Sequence, residues 1–181
     1  VVDLRDGRSI GRGEAFFAIK GDARDGHEFV STALANGAGL AVVSAEKRAA
    51  YPNDAPLLVV PNVLEGLRAL ARSARARSSG TFIAVTGSVG KTSTKEALRL
   101  ALMPSGETHA SVASYNNHWG VPLSLARCPA SARFAVFEMG MNHAGEIRYL
   151  TKLAAPDVAL ITNAGHAHIE FLGSEEAIAR A

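Results

Sequence analysis

One stretch of the chain, residues 82–93, constrains the fold more than any other. It begins with the apolar residues of a typical buried strand, 82–85, and turns between Gly87 and Gly90. It then enters a segment with helical spacing and strong helix formers at Lys91. The sequence therefore predicts a strand, a tight loop and a helix in direct succession.

The composition of this loop suits a nucleotide triphosphate. Glycines let the backbone curl with its N–H groups turned inward, and the start of the helix adds the positive end of its dipole. The Lys91 ammonium can reach the β- and γ-phosphates, and the Thr92 hydroxyl suits a Mg²⁺ ion that bridges them. We therefore assign binding of a nucleoside triphosphate and Mg²⁺ to this loop. The residues assigned are Thr86, Gly87, Ser88, Val89, Gly90, Lys91, Thr92 and Ser93.

A departure from the strict phosphate-loop pattern leaves one alternative open. Val85 stands where the pattern Gly-x-x-x-x-Gly-Lys-Ser/Thr has its first glycine, although Gly87 supplies a bend two residues later. The alternative is a glycine-rich turn between a strand and a helix, with a solvated lysine. The strand before the loop and the helix after it favour the nucleotide site.

Size and charge exclude several other classes of protein. The 181 residues, 48% of them hydrophobic, allow one large domain or two small ones with real cores. A net charge of +2 and scattered basic residues give no electrostatic basis for nucleic-acid binding. No apolar run is long enough to cross a bilayer, so we expect no membrane insertion. The single cysteine, Cys128, excludes an internal disulfide and favours a reducing compartment, so we expect a cytoplasmic protein.

Turn and hinge residues divide the chain into two α/β domains. Residues 1–60 are predicted to form strand, helix, strand and strand, and a capping pattern at Asn62 opens a helix that ends in the polar stretch 75–80. We place the junction there, with domains at 1–78 and 79–181. Residues 1–3 resemble the middle of a strand and residues 174–181 resemble a helix that has barely started, so we expect a fragment.

The second domain alternates strands with helices. Strands are predicted at 82–86, 134–138 and 158–162, and helices at 91–103 and 144–153. This alternation implies right-handed crossovers and a parallel sheet covered on both faces. The predicted fold class is therefore α/β: a small N-terminal α/β domain followed by a phosphate-loop domain with a mostly parallel sheet.

The predicted strands of the second domain deliver polar groups to one edge of the sheet. They end at Thr86, Glu138 and Thr162, and ligands of open parallel sheets bind beyond the carboxyl ends of the strands. Glu138 follows a wholly apolar run, where a buried carboxylate needs a cation, so we assign it to Mg²⁺. The alternatives are that Glu138 points to solvent or pairs with an arginine.

The loops after two of these strands add further candidates. His166 or His168 could ligate a second metal ion through a neutral imidazole, and spacing does not choose between them. Asn142 could contact the nucleotide, or it could cap the next helix.

Several runs of residues are similar to the Mur ligase family. In the second domain the runs are 86–96, 115–123, 138–147 and 162–174, and they include Thr94-Lys95-Glu96, Asn116-Asn117 with Gly120-Val121-Pro122, and Asn142-His143 with Gly145-Glu146-Ile147. In the first domain the runs 3–5, 15–21 and 25–29 resemble that family's nucleotide-sugar domain. The resemblance therefore spans nearly the whole chain.

This resemblance implies an ATP-dependent amide ligase of peptidoglycan synthesis. ATP would phosphorylate the terminal carboxylate of UDP-N-acetylmuramoyl tripeptide, and the amine of D-alanyl-D-alanine would attack the acyl phosphate. The residues implied to be catalytic are Lys91, Glu138 and His168, and the implied metal ligands are Thr92, Glu138 and His168. The residues implied to hold the UDP-muramoyl peptide are Asp3, Arg5, Lys20, Gly21, His27, Asn116 and Asn117.

Other functions are compatible with the same loop. Within the class, the chain could be another Mur ligase or a ligase like folylpolyglutamate synthase. Outside it, a nucleotide-gated binding protein would use the loop to drive a conformational change. The resemblance also implies a C-terminal domain, which we expect to be absent from these 181 residues. We expect a monomer, and we expect the 181 residues on their own not to ligate.

Overall fold

Backbone contacts divide the chain into two units, Val1–Ala69 and Leu70–Ala181. The computed structural model describes residues 2–3, 10–21, 24–165 and 174–180. The division falls inside helix α2 (Val63–Arg77), before the boundary expected after residue 78. The last turns of α2 belong to the second unit, because Ala71 joins its core and Arg75 donates a hydrogen bond to the Ala154 carbonyl.

The first unit is built on a parallel sheet of four strands. In order across the sheet these are β1 (Val2–Asp3), β2 (Ala15–Phe17), β3 (Leu40–Ser44) and β4 (Leu57–Val60). The 3₁₀ helix Gly26–Phe29 and helix α1 (Val30–Ala35) connect β2 to β3, and a second 3₁₀ helix, Ala45–Ala50, connects β3 to β4. The predicted order of strand, helix, strand and strand is found, and β1 lies at the strand expected over residues 1–3.

One cluster of buried residues in the first unit lies on one face of this sheet. Alternate strand residues such as Phe16, Ala41 and Val43 point to the same side, as the two-residue period of a strand requires. There they pack against Val30 and Ala33 of α1. The end of β3 contacts the 24–27 loop described below, because the Ser44 amide donates a hydrogen bond to His27.

The second unit has its own parallel sheet with helices between the strands. Its elements are β5 (Thr81–Thr86), α3 (Lys91–Leu102), β6 (Thr108–Ala110), α4 (Gly120–Ala126), β7 (Phe134–Glu138), α5 (Glu146–Ala154), β8 (Val158–Ile161) and α6 (Glu175–Arg180). The strand order is β6-β7-β5-β8, and every pairing is parallel. The predicted α/β fold class with a parallel sheet is confirmed, whereas β6 was not anticipated.

Strand β5 reads as a continuous apolar run because both of its faces are covered. Phe82 and Ala84 point into the main core with Phe137 and Leu150, and Phe82 stacks on Phe137 with ring centroids 5.5 Å apart. The intervening residue, Ile83, points to the other face, where Leu98 of α3 packs. Burial on two faces is characteristic of central parallel strands.

The order of the strands places a crevice at the carboxyl ends of β5 and β7. The chain leaves β5 and passes over β7 to reach β6, whereas after β7 it crosses β5 to reach β8. The connections therefore diverge between these two neighbouring strands. Such switch points are the usual ligand sites of open α/β sheets.

Candidate nucleotide-binding site

The loop between β5 and α3 depends on glycine at both of its bends. Gly87 has φ +131° and Gly90 has φ +82°, and a side chain is strained at either angle. A Cβ atom at Gly87 would also collide with Thr162 Oγ1 and lie 2.9 Å from the Asn163 carbonyl oxygen. Gly87 is therefore needed both for the turn and for close contact with the chain after β8.

The backbone amides of this loop fall into two sets, one with hydrogen-bond acceptors and one without them among the described residues. Ser88 N donates to the Asn163 carbonyl at 3.0 Å, and Val89 N donates to Asn163 Oδ1 at 3.1 Å. Within the described residues, the amides of Lys91, Thr92 and Ser93 have no hydrogen-bond acceptor. These are the first three amides of α3, so they combine free donors with the positive end of the helix dipole. This end of the loop is suited to bind phosphate oxygens.

The Lys91 ammonium lies over the same loop. Nζ donates to the carbonyl oxygens of Gly87 at 2.7 Å and of Ser88 at 3.2 Å. Both acceptors are neutral carbonyl oxygens, so the ammonium can leave them for phosphate oxygens without breaking an ion pair. The Lys91 side chain therefore lies against the loop that is expected to bind phosphate.

Glu138 ends β7 inside the crevice, and its side chain is fully enclosed. The residue is 1% exposed. Oε2 accepts a hydrogen bond from Thr92 Oγ1 at 2.7 Å, and Oε1 accepts one from Asn116 Nδ2 at 2.7 Å. Among the described residues no basic side chain pairs with this carboxylate. The two alternatives considered for Glu138, solvent exposure and an arginine partner, are therefore wrong.

Asn116 reaches Glu138 from the loop that follows β6. The backbone carbonyl oxygen of Asn116 accepts a hydrogen bond from Gly140 N at 2.8 Å, which connects this loop to the chain just after β7. A Cβ atom at Gly140 would lie 3.0 Å from Asn116 Cγ, so a glycine there leaves room for the carboxamide. The neighbouring Asn117 side chain instead serves α4, because its Oδ1 accepts from the amides of Trp119 and Gly120.

These groups line one open cavity of about 320 Å³. Its lining consists of Ser88, Val89, Gly90, Lys91, Thr92, Ser93, Asn116 and Glu138. The volume lies at the lower end of the range for small-molecule sites, roughly 300–1,000 Å³. The structure therefore brings seven residues of the expected phosphate and metal site, with Asn116 of the expected peptide site, around one space.

The remaining candidates lie elsewhere or outside the described residues. Thr86 is the last residue of β5. The Asn142 amide donates to Glu146 Oε2 at 2.6 Å, and the N-cap of α5 is Gly145, so the alternative role of Asn142 as that cap is wrong. Asp3 lies in β1, and its side chain is outside the described residues, as are Arg5, His166 and His168.

The expected sugar-nucleotide residues of the first unit gather at one loop. Lys20 forms a β-bridge with Asp25, and Gly21 N donates to the Arg24 carbonyl at 2.9 Å. Both ring nitrogens of His27 form hydrogen bonds. Nε2 accepts from Ser44 N at 3.0 Å, so Nδ1 carries the proton and donates to Asp25 Oδ1 at 2.6 Å. The structure thus assigns His27 a neutral tautomer that fixes the loop.

The charge of Asp25 is stabilised in that arrangement. Burial raises the pKa of its carboxyl, but hydrogen bonds from the amide and ring of His27, with the charge of Lys47, outweigh burial and hold the pKa below its usual value. Asp25 is therefore an anion that caps the 3₁₀ helix Gly26–Phe29.

Two residues near the cavity were missed by the sequence analysis as functional candidates. Asn163 bonds the phosphate loop through its carbonyl and its side chain, and no spacing rule signals this contact. Lys95 is fully buried. A signal for Lys95 exists, because it shares the apolar face of α3 with Leu98 and Leu102, at helical spacings of three and seven residues.

Comparison with known proteins agrees with this geometry. The Mur ligase middle domain matches residues 85–181, and the catalytic domain of the Mur ligase family matches residues 5–76. The chain belongs to the Mur ligase family. The resemblance seen in the sequence is thereby confirmed, and the cavity lies within the part matched by the Mur ligase middle domain.

Relatives within the Mur ligase family share one enzyme name. UDP-N-acetylmuramoyl-tripeptide–D-alanyl-D-alanine ligase of Rickettsia prowazekii is 40% identical over 96% of this chain and 38% of its own length. The enzyme of that name from Bacillus subtilis is 38% identical over 97% of the chain and 38% of its own length. The chain therefore spans about two fifths of the length of these Mur ligases.

Solved Mur ligase structures have the same fold. MurF from Acinetobacter baumannii matches with a TM-score of 0.85 and 38% identity, over 99% of this chain and 39% of that one. MurF ligase from Thermotoga maritima in complex with ADP matches with a TM-score of 0.82 and 35% identity, over 98% of this chain and 40% of that one. The arrangement of strands and phosphate loop described above is that of Mur ligases.

Proposed function

We propose that this chain is the nucleotide-binding part of an ATP-dependent ligase that joins D-alanyl-D-alanine to UDP-N-acetylmuramoyl tripeptide. The observation that carries the proposal is the enclosed Glu138 carboxylate, which lies beside the phosphate loop and is hydrogen-bonded to Thr92. The relatives named for this reaction are 36–41% identical. The reaction of the whole enzyme is inferred, because the chain covers only 38% of their length.

The donor set of the cavity fits ATP with Mg²⁺. Among the described residues, the side-chain donors to the buried Glu138 carboxylate, Thr92 and Asn116, are both neutral. A buried carboxylate without a positive partner is stabilised by a bound cation. The described residues contain no cluster of three or more His, Cys, Asp or Glu side chains. Magnesium typically takes one or two carboxylates and completes its shell with phosphate oxygens and water. Glu138 and Thr92 would supply the protein ligands, and we extend the set to His168 for a second ion.

The residues of the loop hold the triphosphate and neutralise its charge. The Lys91, Thr92 and Ser93 amides donate to phosphate oxygens, and the Lys91 ammonium exchanges the Gly87 and Ser88 carbonyls for the transferring phosphoryl group. A bound magnesium ion adds charge stabilisation at the same oxygens. Thr86, Gly87, Ser88, Val89 and Gly90 shape the loop, and Asn142 is proposed as a further nucleotide contact.

Phosphorylation makes chemical sense for the joining of a carboxylate to an amine. A carboxylate is a poor electrophile, so its oxygen first takes the γ-phosphoryl group and ADP leaves. The dipeptide amine then forms the C–N bond, and phosphate departs with the carbonyl–oxygen bond electrons. Positioning of the two reactants, with stabilisation of charge, accounts for most of the catalysis in phosphoryl transfer.

The first unit is proposed to hold the UDP end of the acceptor substrate. Asp3, Arg5, Lys20, Gly21 and His27 are the candidates, with Asn116 and Asn117 toward the muramoyl peptide. Because both His27 ring nitrogens form hydrogen bonds, we propose that His27 acts by holding the conformation of the loop.

We further propose that the enzyme is cytoplasmic and monomeric. Within the described residues no helix combines the length and apolar character needed to cross a bilayer.

Phosphate release tests this proposal on the protein at its full natural length. With ATP and Mg²⁺ present, we expect release to require both UDP-N-acetylmuramoyl tripeptide and D-alanyl-D-alanine. Lys91→Met should abolish release, whereas Lys152→Met, at an exposed position of α5, should leave it unchanged. Release with a free amino acid in place of the dipeptide would identify another Mur ligase. Nucleotide binding with no release under any substrate combination would favour a nucleotide-gated binding protein.

A further inference from the structure

Lys95 is a buried cation that the nucleotide site does not use directly. It lies in the second turn of α3, one turn after Lys91, and its side chain is 0% exposed. All three ammonium donors have acceptors: the carbonyls of Ser111 at 2.7 Å and Ala113 at 2.8 Å, and Glu96 Oε1 at 3.1 Å. A lysine is almost never fully buried unless it is paired in this way.

The two carbonyls belong to the loop that carries Asn116. After β6 this loop turns sharply, and Ala113 adopts a left-handed conformation with φ +49°. The Ser111 and Ala113 carbonyls therefore point inward, toward α3, where the Lys95 ammonium supplies their hydrogen bonds. Loss of that ammonium would leave the buried Ser111 carbonyl unpaired and the partly buried Ala113 carbonyl without its donor, which favours rearrangement of the loop.

The same loop supplies two hydrogen bonds around Glu138. Ser111 Oγ accepts from the Glu138 amide at 3.1 Å, and Asn116 Nδ2 donates to Glu138 Oε1 at 2.7 Å. Lys95 forms no hydrogen bond or ion pair with Glu138, so its polar effect on the carboxylate passes through Ser111 and Asn116. This is the arrangement of an outer residue that orients a metal ligand.

We propose that Lys95 is a positioning residue, which holds the Ser111–Asn116 loop so that the Glu138 carboxylate is oriented for the magnesium–nucleotide complex. The inference rests on the proposed nucleotide site. It goes beyond that site, because it gives the buried Lys95 ammonium a role in orienting a carboxylate with which it forms no hydrogen bond or ion pair. An apolar residue of similar length fills the same volume but leaves both loop carbonyls without a donor.

Binding of the ATP analogue AMP-PNP, with Mg²⁺ or with EDTA, tests this in the full-length protein by calorimetry. The measured quantity is the ratio of the two dissociation constants. For Lys95→Met we expect this magnesium-dependent gain to fall by about tenfold or more, as for loss of an outer residue of a metal site. The dissociation constant in EDTA should change much less, because the loop amides and Lys91 remain. If Lys95→Met does not fold, Lys95→Gln is measured against the same criterion.

A matched variant separates positioning from loss of stability. Leu153→Ala removes a buried side chain from the core of the second unit and leaves the Lys95 contacts intact. It should lower the melting temperature as Lys95→Met does and yet keep the magnesium-dependent gain. An equal loss of that gain in both variants would overturn the inference.

A double-mutant cycle tests the route through Asn116. Asn116→Ala should itself reduce the magnesium-dependent gain, and the addition of Lys95→Met should reduce it little further, since both act on one carboxylate. Fully additive losses would overturn the inference. A parent protein without any magnesium-dependent gain would overturn the proposed metal site and this inference with it. A normal gain in the parent that Lys95→Met preserves would overturn only the role of Lys95.

Discussion

Thr92 and Glu138 are 46 positions apart in sequence and are joined by a 2.7 Å hydrogen bond from Thr92 Oγ1 to Glu138 Oε2. The bond is possible because β5 and β7 are neighbours, with Val85 paired to Glu138, and α3 begins directly above them. The hydroxyl thus holds the carboxylate in the place where both can face one cation. The site is preorganised by the sheet and not by the loop alone.

Replacement of Glu138 by glutamine should separate activity from stability. The amide keeps the shape, can donate to Thr92 Oγ1 and can accept from Asn116, but it has no charge for a cation. We expect phosphate release to fall on the order of 100-fold. In EDTA the free energy of unfolding should stay equal or rise by about 1 kcal/mol, because a buried carboxylate that has no basic partner among the described residues is removed.

Urea unfolding and phosphate release measured on the same samples check that prediction. Glu107→Gln, at an exposed position of the same unit, serves as the control and should change neither quantity. A Glu138→Gln protein with parental activity would remove the carboxylate from the proposed site.

Gly87→Ala should destabilise the second unit more than a glycine substitution at an open position. The new methyl group meets Thr162 and Asn163, and φ +131° is strained for alanine. We expect a loss of about 2–5 kcal/mol in the free energy of unfolding. Gly145→Ala, with φ +88° and nothing within 4 Å of its Cβ, should lose only about 1 kcal/mol. Equal losses in the two variants would show that close packing at Gly87 is unimportant.

The Asp25 carboxylate should make the first unit sensitive to acid. Because the folded pKa is below the unfolded value of about 3.9, ionised Asp25 stabilises the fold above that pH. The contribution is lost as the pH falls through the folded pKa. Asp25→Ala should therefore cost about 0.5–2 kcal/mol at neutral pH, and the difference from the parent should narrow below about pH 4.

Denaturant unfolding followed by circular dichroism at several pH values measures that difference. Asp54→Ala, at an exposed position between β3 and β4, is the control. A difference between Asp25→Ala and the parent that stays constant from pH 7 to pH 2.5 would contradict the assignment.

Arg75 should contribute to stability through the end of α5. Its Nε donates to the Ala154 carbonyl at 3.0 Å, and its Nη2 donates to the Ala155 carbonyl at 3.0 Å. Its guanidinium lies 4.1 Å from the centre of the Phe82 ring. Arg75→Met should lower the free energy of unfolding by about 1–3 kcal/mol. Arg72→Met, one turn earlier and exposed, should change it by less than about 0.5 kcal/mol.

The elements that the sequence predicts best are those whose signals are local. The apolar run of β5, the glycines of the loop and the helix formers of α3 adjoin one another, so the strand, loop and helix could be placed to within a few residues. Glu138 could be placed because the end of an apolar parallel strand fixes its position.

The features that were missed depend on partners distant in sequence. Strand β6 has three residues and exists because it pairs with β7, a relation that no local pattern records. The tautomer of His27 is set by Ser44 N, 17 residues away. The spacing of Lys95 places it on the apolar face of α3, but its partners, the Ser111 and Ala113 carbonyls, lie 16 and 18 residues away and have no local signal.

The attachment of the phosphate loop to the chain after β8 has a mechanical consequence. Ser88 and Val89 are bonded to Asn163, Ser88 Oγ exchanges hydrogen bonds with Gly165, and Thr162 Oγ1 donates to the Val89 carbonyl at 2.7 Å. The outer half of the loop cannot shift on its own without breaking these hydrogen bonds. If the loop moves when a ligand binds, the chain that leaves β8 must move with it, so the position of Gly165 would report whether the loop is occupied.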